Sequence, residues 1–189
     1  MKRSKITILL AIVLGMTFHS CLDLEPQDQL GGKNMWTSVN DYKQFANTFY
    51  SWTRDFSSVV YDGTHSDKRS DLITYQSYNE FSRGINSIPS SDANYTDNYK
   101  HIRRTNLLLQ NAEAYAKPED IKQYIGEAYF FRAYSYFDLL QLYGDVIITK
   151  KPLDITDPEM KVKRNDRSEV VDLIIDDLNH AVENLPAFK

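Results

Sequence analysis

The sequence holds a single cysteine, Cys21, among 189 residues. One cysteine excludes a disulfide within the chain and a cysteine-based zinc site, so an apolar core must hold the fold. Catalytic signatures are missing as well. There is no Gly-x-Ser-x-Gly, no His-Glu-x-x-His and no phosphate-cradling loop. Of four histidines, His19 lies in the leader described below, while His65, His101 and His180 stand alone and are expected as surface or satisfied side chains. Asp62, Asp67 and Asp71 fall close together but lack the Asp-x-Asp-x-Asp-Gly order of a calcium loop. No metal, no cofactor and no enzymatic activity are expected.

Basic charge is also scarce. Removal of residues 1–20 takes Lys2, Arg3 and Lys5 and no acid, so 22 basic residues fall to 19 against 26 acidic and the net charge goes from −4 to −7. Phosphate contacts supply most nucleic-acid affinity, so an acidic chain excludes that partner class. Arg103-Arg104 and the stretch from Lys161 to Arg167 are read as solvated surface. The one apolar run, Ile6 to Phe18, is shorter than the roughly 20 residues that span a bilayer. Behind its positive start it fits a signal-peptide core, with residues 1–20 as the leader. The segment ends Phe18-His19-Ser20-Cys21. A small residue before that cysteine resembles a bacterial lipoprotein-processing site, although Phe18 and His19 stand where leucine and a small residue are usual. Cys21 is thus the expected lipidation site. The acidic, proline-interrupted stretch that follows makes residues 21–35 a tether.

What is present in quantity is helical pattern and tyrosine, of which there are 13. Ser38 or Thr37 is placed to cap a first helix, with Tyr42, Phe45, Phe49 and Trp52 on one buried face. Residues 57–93 show no period and read as a long ordered loop. A second helix is expected from Thr96 to Tyr115. A third, over about 118–142, starts at Pro118 and carries Ile121, Tyr124, Ile125, Ala128, Phe131, Ser135 and Leu139 at helical spacing. Further aromatics widen its apolar surface, so burial from several sides is expected, with Gly144 as its stop. Arg132 lies inside this helix and needs a partner, Glu127 or Asp138. Residues 145–149 turn extended. Asp166 and Glu169 form a capping pattern before a fourth helix with Val170, Leu173, Ile174, Leu178, Ala181, Val182 and Leu185 as its apolar set. Asp176-Asp177 is read as facing solvent. The chain is therefore mainly α, and the short turn at Lys117-Pro118 makes an antiparallel helix hairpin, the unit of helical-repeat proteins. No clean repeat of roughly 34 residues is evident.

The segment Tyr124-Ile125-Gly126-Glu127-Ala128-Tyr129-Phe130-Phe131-Arg132-Ala133-Tyr134-Ser135-Tyr136-Phe137, continuing through Gly144-Asp145-Val146, resembles the signature stretch of the SusD/RagB family. Ile147 replaces the proline common there. Cys21 to Asp28, the helix with Asn106 and Leu109, and the stretch from Arg167 to Pro186 resemble further family segments in the right order. The resemblance covers the N-terminal portion of that family only, so residues 36–189 are expected to form an incomplete SusD-like helical domain of tetratricopeptide-like helix pairs with a loop-rich ligand face.

The resemblance implies a non-catalytic lipoprotein on the outer membrane, facing the cell exterior. It implies partnership with a SusC-type TonB-dependent transporter and capture of an oligosaccharide for import. Sugar rings ask for flat aromatic faces beside polar groups for hydroxyls. The 60–83 loop supplies both, and Asp67, Arg69, Tyr75, Tyr78 and Asn79 are the candidate ligand contacts, each of them also readable as part of an ordered loop with packed tyrosines. The alternative function is a helical-repeat envelope adaptor that binds a partner protein without a sugar site.

Overall fold

Ser38 opens the first helix, α1 (Val39–Asn47), by a reciprocal exchange. Its hydroxyl accepts from the Asp41 N–H, and the Asp41 carboxylate accepts from the Ser38 N–H at 2.8 Å. The chain tightens into a 3₁₀ turn, Thr48–Trp52. Tyr42, Phe45 and Phe49 are buried along this stretch. The computed structural model describes residues 35–54, 83–154 and 156–187. The chain divides at Met35, and the architecture described is that of the unit Trp36–Lys189.

Asp92 caps α2 (Ala93–Glu113) by accepting from the Asn94 N–H at 2.9 Å, three residues before the expected start. Pro118 does not begin the third helix directly. It opens a 3₁₀ turn, Pro118–Ile121, which buries Ile121 before α3 (Lys122–Tyr143) begins. A fixed φ and a missing N–H suit the tight turn as well as they suit an α-helical start. Helix α3 is central and packs on α1, α2 and α4 (Arg167–Asn184). Gly126 lets the end of α4 come close, since a Cβ there would meet Leu185 atoms at 3.0 Å. Gly144 ends α3 with φ +70°, beside the Arg167 guanidinium.

Ile102, Tyr136, Leu139, Val146, Val170 and Leu173 form the heart of the core between α2, α3 and α4. The expected extended stretch after Gly144 makes one isolated antiparallel bridge, Val146 to Asn165, with the Asn165 N–H donating to the Val146 carbonyl at 2.9 Å. The Asn165 side chain then accepts from the Ile148 N–H at 2.9 Å. No named strand occurs among the described residues.

Several expectations are corrected here. Arg132 pairs with neither Glu127 nor Asp138. Its Nε and Nη2 donate to the two carboxylate oxygens of Asp177 at 2.8 and 2.6 Å, and its Nη1 donates to Asn106 Oδ1 at 2.7 Å. Asp177 therefore does not face solvent, and its side chain is fully buried. A bidentate partner on the facing helix suits the guanidinium fork better than a neighbour on its own helix. Asp138 is taken by Arg54, and Glu127 accepts from Gln123 at 2.8 Å. Arg104 is only half exposed, with Nη2 donating to Thr48 Oγ1 at 2.9 Å and its guanidinium over the Phe45 ring. Leu178 and Val182 are exposed, Val182 to 79%. With Val171 and Ile175 they form a second apolar stripe on α4, turned away from α3.

Replacing Asp177 by alanine leaves a buried guanidinium without its counter-charge. Urea unfolding followed by circular dichroism is expected to show a loss of about 3–5 kcal/mol. The neighbouring Asp176→Ala, at an exposed position, is expected to stay within about 0.5 kcal/mol of the parent.

Candidate functional site

The first half of α2 and the segment after α3 enclose a cavity of about 440 Å³. Helical spacing supplies one wall. Tyr95, Tyr99 and Arg103 stand four apart in one row, and Thr96 and Lys100 form the row beside it. Extended spacing supplies the other wall. Ile147, Thr149, Lys151 and Leu153 line it at alternate positions, with the chain extended at 147–149 and bending at 150–151. Glu159 and Met160, from the 3₁₀ turn Pro158–Lys161, and Asp154 complete the lining.

The extended wall is held by side chains from the helices. The Tyr99 hydroxyl donates to the Ile147 carbonyl and accepts from the Ile147 N–H, both at 2.9 Å. Asn106 Nδ2 donates to the carbonyls of Thr149 and Lys151 at 3.0 and 3.2 Å. The Tyr136 hydroxyl accepts from the Thr149 N–H at 2.7 Å. Arg103 Nε reaches the Leu153 carbonyl at 3.1 Å. Tyr95 packs on Tyr99 with ring centres 4.8 Å apart and edge-on to Tyr143 at 5.2 Å.

Charge at the rim comes largely as pairs. Lys151 Nζ lies 2.7 Å from Glu159, a hydrogen bond that holds the ammonium above its ordinary range. Lys100 Nζ lies 2.7 Å from Asp97, and that bond holds the Asp97 carboxyl below its usual value. Burial pushes the Tyr99 phenol far up, so it remains a neutral donor and acceptor at any physiological pH. The site thus combines aromatic faces with fixed donors and acceptors, the arrangement a polar ring with apolar C–H faces requires.

A second aromatic cluster lies where α1 meets α2 and α3. Trp52 and His101 stack with ring centres 4.1 Å apart, Arg54 pairs with Asp138, and the Arg54 guanidinium sits over Tyr134. Burial lowers the His101 pKa. Among the described residues no group of three or more His, Cys, Asp or Glu is placed to hold a metal.

The candidate contacts Asp67, Arg69, Tyr75, Tyr78 and Asn79, and the lipidation site Cys21, lie outside the described residues. The cleft at Tyr95 and Tyr99 was not anticipated. Its signals were present, as a tyrosine pair four apart and as the alternation Ile147-x-Thr149-x-Lys151-x-Leu153. What no local pattern states is that these two segments face each other.

Comparison with known proteins gives a consistent picture. A family model, SusD-like, described as starch-binding and associating with the outer membrane, matches residues 22–189. SusD-like protein P38 of Formosa agariphila is 28% identical over 204 residues, covering 97% of this chain and 38% of its own length. A crystal structure of a SusD-like protein from Bacteroides fragilis superposes with TM-score 0.67 at 26% identity, over 87% of this chain and 33% of that one. A laminarin-binding SusD-like protein superposes with TM-score 0.50 at 31% identity, over 57% of this chain and 23% of that one. The chain therefore spans about two fifths of the length of the curated relative. These likenesses bear out the expected tetratricopeptide-like helical architecture.

Tyr99→Phe removes both hydrogen bonds to Ile147 and strands its N–H and carbonyl. A loss of about 1–3 kcal/mol is expected. Amide hydrogen exchange should accelerate at Ile147 and Ile148 while the α3 core stays protected.

Proposed function

The chain belongs to the SusD-like family, whose proteins associate with the outer membrane and bind carbohydrate, and on that premise we propose that it captures an oligosaccharide at the cell surface for import. The cleft beside Tyr95 and Tyr99 is the observation that carries this reading, because it sets aromatic faces among donors and acceptors in a volume that suits a small ligand. The laminarin-binding neighbour supports a glycan as the cargo. Capture requires no bond to be broken, and the proposed role is non-catalytic.

Three finer parts of the reading go with it. A lipid on Cys21 anchors the chain to the outer membrane, with the domain facing the exterior. The leader pattern supports this, and the family match beginning at residue 22 leaves residues 1–20 outside it. Several acyl chains would hold such a domain firmly, at roughly 0.8 kcal/mol per buried methylene. A SusC-type TonB-dependent transporter is the proposed receiver of the glycan. The 60–83 loop, with Asp67, Arg69, Tyr75, Tyr78 and Asn79, is the proposed second part of the ligand face.

A second reading, an adaptor that binds another envelope protein without a sugar site, draws on the exposed stripe Val171, Ile175, Leu178 and Val182 and on the exposed Phe130 and Phe137.

On native gels cast with a panel of polysaccharides, at least one is expected to retard the chain, and Tyr95→Ala to weaken that retention about tenfold. No retention by any glycan, together with co-purification of a transporter, would favour the adaptor. Release of reducing sugar would contradict the non-catalytic role. Mass spectrometry of the mature N-terminus is expected to find an acylated cysteine, and an unmodified start at any other residue would sink the anchor.

A further inference from the structure

The cleft lies in a chain of net charge −4, yet its lining holds three cations, Lys100, Arg103 and Lys151, against two carboxylates, Asp154 and Glu159. The cations differ in what engages them. Lys151 is held by Glu159, and Lys100 by Asp97, each at 2.7 Å. Arg103 spends only its Nε, on the Leu153 carbonyl at 3.1 Å. That bond fixes the plane of the guanidinium at the edge of the cleft. Its two terminal amino groups have no hydrogen-bond partner among the described residues. A guanidinium anchored at one nitrogen, with its other donors open to solvent, presents a fork to a planar or tetrahedral oxyanion.

We infer that the cleft takes an acidic oligosaccharide, with a carboxylate or sulfate of one sugar seated on Arg103 while the ring packs against Tyr95 and its hydroxyls reach Asp154. This rests on the oligosaccharide-capture reading and narrows it to a ligand class. An acidic chain repels an acidic glycan at long range, so a site for one must carry its own positive charge close by. Lys100 and Lys151 are matched by Asp97 and Glu159, so Arg103, whose charge no carboxylate holds among the described residues, supplies the directional contact. A neutral glycan would use the tyrosine faces and the hydroxyl partners but would give Arg103 no counter-charge.

Isothermal titration of the full chain separates the possibilities. The probes are an oligogalacturonate, a sulfated galactan oligosaccharide and a laminarin oligosaccharide of matched length. The expected result is that at least one acidic probe binds about tenfold or more tightly than laminarin. Whether the uronate or the sulfate ester wins identifies the anionic group. Acidic binding should weaken between about 0.1 and about 1 M salt, as the screening length falls from about 10 to about 3 Å, while any laminarin binding holds. Arg103→Gln should weaken the acidic probe about tenfold and any laminarin affinity by a clearly smaller factor, since both ligands sense the lost Leu153 bond and only the acidic one senses the lost charge. Arg103→Lys should recover part of the loss, since it keeps the charge but not the fork. Laminarin binding as tightly as the acidic probes, with no effect of Arg103→Gln, overturns the inference and leaves oligosaccharide capture standing. Failure of all three probes, and of the polysaccharide panel, removes the capture reading and the inference with it.

Discussion

The fold turns on the buried contact between Arg132 and Asp177. Taking two charges out of water costs several kcal/mol per ion, and their attraction offsets that only when every hydrogen-bonding group is used. Here the carboxylate takes two nitrogens of the guanidinium, and Asn106 takes a third. Burial alone would make Arg132 easier to deprotonate, but the bonds and charge of Asp177 more than offset it, so the guanidinium is held charged. The three residues come from α3, α4 and α2, so a single network sets how three helices sit together. Apolar packing supplies most of the energy, while the network admits few alternative registers.

The network continues into the site. Asn106 faces Arg132 with its amide oxygen and uses its amide nitrogen on the carbonyls of Thr149 and Lys151. Residues 147–149 run extended, no strand among the described residues completes a ladder with them, and buried backbone groups need partners. Tyr99, Asn106, Tyr136 and Asn165 provide them. The wall of the cleft is thus registered by side chains from the helices, and its alternate residues face Tyr95 and Tyr99 as a result. Hydrogen bonds through Arg132 and Asn106 thus join Asp177 to the cleft wall.

Much of the helical pattern could be read directly. Of the two capping candidates Ser38 is the one used, the pair Asp166 with Glu169 forms as its spacing indicates, and Gly144 ends α3 with the positive φ that favours glycine. Tyr42, Phe45, Phe49 and Phe131 are core. The misreadings share a cause. Its place beside Asp176 points Asp177 toward solvent, and a periodicity cannot show that an arginine on another helix stands opposite. Spacing alone puts Leu178 and Val182 in the apolar set because α4 is apolar on two faces, and one face alone meets α3. The cleft escaped notice because its walls are about 50 residues apart in the chain, as the contacts of Tyr99 with Ile147 and of Arg103 with Leu153 show.

The sequence by itself determined the helices, the caps at Ser38 and Asp166, the stop at Gly144, the hairpin near Pro118 and the resemblance that led to the family, because these depend on residue type and on spacing along a few turns. The tertiary structure alone decided who partners Arg132, which face of α4 is covered, and that Tyr95 and Tyr99 look across a cleft at Lys151 and Leu153. Each of these depends on distances between segments remote in the chain, where charge pairing and burial are settled by packing and not by local conformation.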